Sequence, residues 1–389
     1  MAEEKKTKLV EGKITDEALE QLRSRIGMKL RIHPDSGNRN VSEETIRKFV
    51  NGTGDINPLY RDPEYAKKTR YGKLVAPPSW LYSVFQMGVM HGLAGVHGWH
   101  SGDDWEFFKP IIDGDRIKPE AIFKGFDETK SGFADRMIKT YQERLYYNQR
   151  DELVAKALGW TFKAEQSNVR KKGKYAKLEL PHPWTDEERD EIDDQIMAMK
   201  IRGPEVLYFE DVNIGDEVPQ VIKGPIGITD EAAFYGGTSG RLMAHEAALA
   251  GYKKHPAWGF RAGDTTAWEP RAAVHWLIEA ANGAGLPYMY EIGMERNSWT
   301  IQMFTSWIGD EGWLKRCYAE YRAFIYLGDV AFIKGTVTKK YVDENGEACV
   351  DVDIFGTNQR KETIVKGHGT VILPSRDKKT WPLESRLAK

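Results

Sequence analysis

Ser42-Glu43-Glu44 opens a short amphipathic segment that ends near Val50, and Ser42 has the chemistry of an N-cap. After a polar loop, Pro77-Pro78 starts a second run through Trp80, Leu81, Val84, Phe85 and Met90. Polar residues are scarce there, so the pattern predicts a helix over about 77–92 buried on most sides. Strand-like runs follow at Ile117 to Phe123, Met137 to Tyr147 and Leu153 to Phe162. The second half reads alike, with Val330 to Tyr341, an Asn345-Gly346 hairpin turn, Ala348 to Phe355 and Thr363 to Leu373. A helix predicted over about 294–308, amphipathic and opened by Gly293, precedes them. A buried helix followed by antiparallel strands in each half is an α+β arrangement.

Local identities support two copies of one fold. Phe49-Val50-Asn51-Gly52-Thr53-Gly54 aligns with Phe234-Tyr235-Gly236-Gly237-Thr238-Ser239 at an offset of 185. Gly114-Asp115 recurs as Gly328-Asp329 at 214, and Asn148-Gln149-Arg150 as Asn358-Gln359-Arg360 at 210. The change in offset places about 29 extra residues in the second copy, within 252–292. Between the copies, 166–204 carries Lys171-Lys172-Gly173-Lys174, Pro181, Pro183 and the charge block Asp186 to Glu191. It reads as a solvated linker with one helix from Thr185 to Met199, opened by a Thr185/Glu188 capping box. The expected organisation is 1–165, a linker at 166–204, and 205–389.

The chain has 389 residues, 41% of them hydrophobic and 29% charged, with a formal net charge of −2. That balance suits a globular protein, and no long basic run points to nucleic acid. No stretch has the apolar length of a membrane helix, and the charged N-terminus lacks a signal core. Cys317 and Cys349 are too few for a disulfide framework. A cytoplasmic location is expected.

The densest candidate chemistry is Gly54-Asp55-Ile56-Asn57-Pro58-Leu59-Tyr60. Asn and Pro form a tight turn that would hold the Asp55 carboxylate for proton transfer. A structural turn is the competing reading. His91, His97 and His100 bracket a Gly-rich turn without the ligand spacing of a metal site. The Gly237-Thr238-Ser239-Gly240 run lacks the Lys of a phosphate loop.

Asp55-Ile56-Asn57-Pro58-Leu59-Tyr60, Asp62-Pro63-Glu64-Tyr65-Ala66, Val75-Ala76-Pro77-Pro78 and His100-Ser101-Gly102 resemble the N-terminal half of MaoC-like double-hotdog dehydratases. Phe209-Glu210-Asp211-Val212, Trp307-Ile308-Gly309-Asp310 and Thr370-Val371-Ile372-Leu373-Pro374 resemble the C-terminal half. The resemblance implies a double hotdog, with two antiparallel sheets each wrapped around a long central helix. It also implies hydration or dehydration of an acyl thioester, with CoA as a substrate handle and no metal or redox cofactor.

In that family an Asp and a His handle the water, and a helix-opening Gly offers an N–H to the thioester oxygen. Here Asp55 and Asn57 are kept, Tyr60 stands for the His, and Pro78, which has no N–H, stands for the Gly. Tyrosine, with an ordinary pKa of about 10, is a poor base. The second half has the opposite set. The 185 offset carries Tyr60 to His245 and Asp55 to Gly240, and the matching helices carry Pro78 to Gly293.

The expected catalytic set is therefore Asp55, Asn57, Tyr60 and His245, with Asp55 and His245 on separate sites. The expected substrate contacts are His100, Gly293, Trp258 and Trp268, the tryptophans capping a pocket for a bulky acyl group. A homo-oligomer or a pairing with another MaoC-like chain is expected. A hotdog thioesterase or another lyase, and a non-catalytic tunnel-forming subunit, are the alternatives.

Overall fold

The computed structural model describes residues 10–32, 37–86, 93–130, 132–175, 177–238 and 242–387. Among them, nine strands form one antiparallel sheet. In chain order these are β1 (His97–Phe107), β2 (Lys118–Thr129), β3 (Met137–Tyr147), β4 (Leu153–Ala164), β5 (Glu217–Lys223), β6 (Trp313–Tyr321), β7 (Ala331–Val342), β8 (Ala348–Asn358) and β9 (Thr363–Ile372). Their spatial order is β2-β3-β4-β1-β6-β9-β8-β7-β5. The two predicted sheets are thus joined edge to edge. The joint is the antiparallel pairing of β1 with β6, where Asp104 faces Tyr318, the residue 214 positions later. Arg316 clamps this joint by donating Nε and Nη2 to the Asp104 carboxylate at 2.8 and 2.6 Å.

The same pseudo-symmetry governs two short helices, α1 (Glu43–Thr53) and α2 (Ile228–Thr238), which pack on each other. Ser42 caps α1 as its sequence implies. Phe49 and Phe234, 185 residues apart, meet at 6.2 Å between ring centroids. A Cβ added to Gly52 would lie 2.7 Å from the Ala233 carbonyl oxygen, and one on Gly237 would lie 2.5 Å from that of Lys48. Both obstacles are backbone, so neither can swing away. Gly237→Ala is expected to destabilise the fold by about 1–3 kcal/mol, the usual cost of overpacking. A shift in the chemical denaturation midpoint, with an unchanged slope, would show it.

The third helix, α3 (Gly293–Ile308), has every residue from Met294 to Ile308 buried. It packs against β1, β5, β6 and β7. The expected amphipathic stripe is absent because sheet and α1 leave this helix no solvent face. Some of its polar residues are internally paired instead, although Glu295 Oε2, Asn297 Oδ1 and Gln302 Oε1 are left without a partner among the described residues. Arg296 donates to the Glu291 carboxylate at 2.7 Å and to the carbonyls of Ala323 and Ile364 at 2.8 and 2.7 Å. The first-half counterpart is shorter where it is described. A 3₁₀ turn at Pro78–Trp80 runs into a helical turn at Leu81–Val84, and Phe85 is extended. The remainder of the predicted helix, 87–92, lies outside the described residues, as do His91, Ser239 and Gly240.

His97 and His100 belong to β1, not to a turn; the residues between them alternate in a strand despite the glycines. The linker helix spans Asp186–Met197 with the Thr185/Glu188 capping box formed. Within 252–292, two short strands, Gly259–Arg261 and Trp268–Pro270, and a short helix, Ile278–Ala284, build a satellite core.

A candidate active site where the two halves meet

A cavity of ≈ 550 Å³ lies at the N-terminus of α3, between residues of β1 and residues of the 252–292 segment. His100, Gly293, Tyr321 and Tyr290 are among its lining residues. The helix start has no side-chain cap. The backbone N–H groups of a first turn have no partner within their own helix, and the helix dipole makes that end favourable to negative charge. Glycine is what lets His100 approach. A Cβ on Gly293 would sit 3.1 Å from both His100 Nδ1 and a Tyr321 ring carbon.

His100 is held from behind. Its Nε2 lies 2.8 Å from Asp103 Oδ2, and both side chains are buried. The same carboxylate accepts from the Tyr82 hydroxyl and from Arg144 Nη2. The Tyr82 hydroxyl in turn accepts from Asn297 Nδ2 at 2.6 Å and Trp105 Nε1 at 3.0 Å. Arg144 also donates to the Gln86 carbonyl at 2.7 Å. Burial alone would push the Asp103 carboxyl up. The Arg144 guanidinium and His100 outweigh it and hold Asp103 below the usual carboxylate range. An ionised Asp103 facing Nε2 favours the tautomer with its proton on that nitrogen. Nδ1 is then a lone-pair acceptor. It is buried and has no hydrogen-bond partner among the described residues, while Nε2 has the close Asp103 contact without full hydrogen-bond geometry.

This arrangement belongs to one half only. At the 214 offset His100 becomes Leu314 and Asp103 becomes Cys317, and at 210 Arg144 becomes Ile354. Pro78 is the first-half counterpart of Gly293. Pro78 and Leu314 line a cavity of only ≈ 50 Å³, together with Tyr60.

The remaining sequence-derived residues are dispersed. Asp55 is buried, and its Oδ1 accepts from the Asn57 backbone N–H at 2.9 Å, while Asn57 Oδ1 caps Leu59 N–H at 3.0 Å. Burial pushes the Asp55 carboxyl up against the pull of the Asn57 N–H and Lys223. Lys223 and Arg61 fasten this loop by donating to the carbonyls of Thr53, Gly54 and Asp55. Tyr60 is buried, and burial with the nearby Asp55 pushes its hydroxyl pKa well up. His245 is exposed at the start of the helix His245–Lys254, with a left-handed φ of 50°. Neither Asp55 nor His245 lines the large cavity. Trp258 stacks on His255 and Trp268 on Tyr252, away from the cavity lining. The 252–292 segment instead gives the cavity Arg271, His275 and Tyr290.

Of the residues named from the sequence, His100 and Gly293 line this cavity; Asp103, Tyr82, Arg144 and Asn297, which surround His100, were not named. The signal available was the offset itself, since charged residues face apolar ones across the repeat at Asp103/Cys317 and Arg144/Ile354. Among the described residues, Asp343, Glu347 and Cys349 cluster closely enough for a metal. Lys315 already occupies that group, 2.6 Å from Asp343 and 3.0 Å from Glu347.

Residues 24–157, roughly a third of the chain, match the family model for the FAS1-like dehydratase domain region. A UPF0336 protein of Streptomyces avermitilis is 31% identical over 98 residues, covering 22% of this chain and 63% of the relative. Another UPF0336 protein, from Thermobifida fusca, is 45% identical over 87 residues, covering 20% and 55%. The chain thus spans less than two thirds of the length of these curated relatives. Among solved structures, a MaoC-like dehydratase superposes with a TM-score of 0.62 at 16% identity, covering 90% of this chain and 99% of the other. A Mycobacterium tuberculosis protein described as having a double hotdog fold gives 0.52 at 10% identity, covering 90% and 96%. At these identities the structural likeness speaks for the fold. Among the described residues no helix is long and apolar enough to cross a membrane. The first half thus resembles a FAS1-like dehydratase region, and the likeness along nine-tenths of the chain gives it the double hotdog fold of the MaoC-like dehydratases it superposes on.

Proposed function

We propose that the chain catalyses reversible hydration of an α,β-unsaturated acyl thioester, probed most simply as an enoyl-CoA. The observation that carries this reading is the meeting of Gly293, at an uncapped helix start, with the unpartnered Nδ1 of His100 in one cavity. The thioester carbonyl oxygen would accept from the first-turn N–H groups of α3, which suit a developing enolate. His100 Nδ1 takes a proton from water as the hydroxyl adds to the β-carbon. The double-bond electrons move toward the carbonyl oxygen, and the imidazolium returns its proton to the α-carbon. Asp103 positions the ring without touching substrate. No metal or redox cofactor enters this chemistry.

The loop residues Asp55, Asn57 and Tyr60 serve in this reading to fix the turn between α1 and the rest of the first half. His245 is a second candidate proton carrier only if its segment closes over the cavity. Because one chain supplies both Gly293 and His100, the purified protein is expected to hydrate enoyl-CoA esters by itself.

Gly293→Ala tests the assignment. The added methyl crowds His100 and Tyr321, so kcat/KM should fall at least about tenfold, measured where the variant is still folded because the same crowding costs some stability. Release of free CoA in place of hydration would favour a thioesterase. Activity only with a second MaoC-like chain would favour the tunnel-forming subunit.

A further inference from the structure

The cavity has a second polar end that the hydration chemistry leaves unused. Arg271 and His275 reach it from the 3₁₀ segment Arg271–His275, and His97 from the first residue of β1. Lys163, on β4, is paired in register with the cavity-lining Gly98; its Nζ comes within 3.1 Å of where a Gly98 Cβ would stand. Arg271 donates to the carbonyls of Val10, Ala257 and Gly95 at 3.0, 3.3 and 3.1 Å. Those acceptors are neutral. Among the described residues no carboxylate lies within ion-pair distance of Arg271 or Lys163. Glu11, whose field reaches Arg271, is itself paired with Arg170. Glu291, also in the cavity wall, is paired with Arg296.

The positive charge at this end is that of Arg271 and Lys163, with no carboxylate among the described residues to neutralise it, while His97 and His275 are neutral rings beside the Tyr290 hydroxyl and carbonyl. Burial and the neighbouring Arg271 bring the Lys163 ammonium down to about 8. Burial, helped by Arg271 and Lys163, pushes His97 well below its ordinary value. Burial brings His275 down to about 4. Lys163 and Arg271 are half-buried, and two neighbouring cations without a carboxylate partner form a wall that an anion would complete.

We propose that this end of the cavity binds an anionic oxygen group carried by the thioester substrate, namely a carboxylate on its acyl part. The inference rests on the thioester reading above. His97 and His100 both line the cavity, and their backbones are three residues apart on one strand, roughly 10 Å at about 3.4 Å per residue, an odd spacing that turns the two rings apart and makes this the least separation to be spanned. A phosphate of CoA lies beyond the whole pantetheine arm from the carbonyl, farther than this separation asks for. An acyl chain of a few carbons ending in a carboxylate fits it.

Saturated thioesters cannot be hydrated, so they separate binding from turnover. Calorimetry on the full chain would compare adipyl-CoA with heptanoyl-CoA, and then the same two acyl groups on N-acetylcysteamine, which carries no phosphate. The expected result is a preference of about tenfold or more for adipyl in both pairs, typical of a charge-assisted contact. That preference should be lost in Arg271→Gln and in Lys163→Gln. The second variant covers the case in which Arg271→Gln, by releasing three carbonyls, fails to fold. If instead Lys163→Gln weakens both CoA esters and neither N-acetylcysteamine ester, the anion is the CoA phosphate and the acyl carboxylate is overturned. Equal affinity for all four ligands, unchanged in the variants, overturns the anion site altogether. If no thioester binds, the thioester reading fails, and titration of adipate into wild type and Lys163→Gln still decides whether the anion site exists.

Discussion

His100→Gln is expected to lower turnover on enoyl thioesters by about 10²–10⁴-fold, the usual contribution of a positioned general acid–base group. The fold should survive, because glutamine retains a polar atom toward Asp103. The loss should appear in kcat more than in KM, since the ring acts on the water and not on the acyl chain. The paired control is Asp55→Asn. It keeps the side-chain oxygen that accepts from Asn57 N–H and so preserves the turn. Most of the turnover should remain in that variant. The opposite pattern, with His100→Gln active and Asp55→Asn inactive, would move the chemistry to the first-half loop.

Asp103→Asn is expected to have the largest effect on stability. Arg144 and Asp103 are almost wholly buried, with side-chain exposures of 1% and 0%. Neutralising Asp103 leaves the guanidinium enclosed without its counter-charge, a loss of about 3–5 kcal/mol when a buried pair is broken. Urea denaturation would measure it. The double variant Asp103→Leu/Arg144→Met removes both charges and should recover much of that loss, as apolar replacements of buried pairs often do. The pH dependence has a definite sign. A carboxyl held below its unfolded value contributes stability that is present above about pH 4 and is lost as pH falls through the folded value. Acid should therefore destabilise wild type more steeply than the double variant. Activity would be lost in both variants, because His100 loses the group that orients it.

Much of the architecture was legible because it is written twice. The 185 offset that aligns Phe49 with Phe234 reappears as a packed pair of rings, flanked by Gly52 and Gly237 in reciprocal contacts. The edge-to-edge joining of the sheets was not legible. Periodicity reports which face of a strand is covered, and it is silent on which strand lies beside it. The amphipathic reading of α3 failed for a related reason. Glu295, Arg296 and Asn297 look like solvent residues in sequence, yet they are enclosed. Arg296 and Asn297 find partners far along the chain, at Glu291, Ala323, Ile364 and Tyr82.

The candidate site was half legible. Gly293 is reached through the repeat, and His100 through the His100-Ser101-Gly102 segment. Asp103 was passed over because Ser101-Gly102-Asp103-Asp104 reads locally as a loop. In the structure it is strand, with a bulge between His100 and Gly102. The loop Asp55 to Tyr60 carries a dense motif, but density of motif says nothing about which cavity a side chain faces.

The most direct test is a crystal structure of the full chain with a saturated acyl-CoA bound. The account predicts the thioester carbonyl oxygen within about 2.7–3.2 Å of a first-turn N–H of α3, at Gly293 or Met294, with the β-carbon beside His100 Nδ1. A thioester seated instead against Asp55 and Tyr60, with the His100 cavity empty, would contradict it.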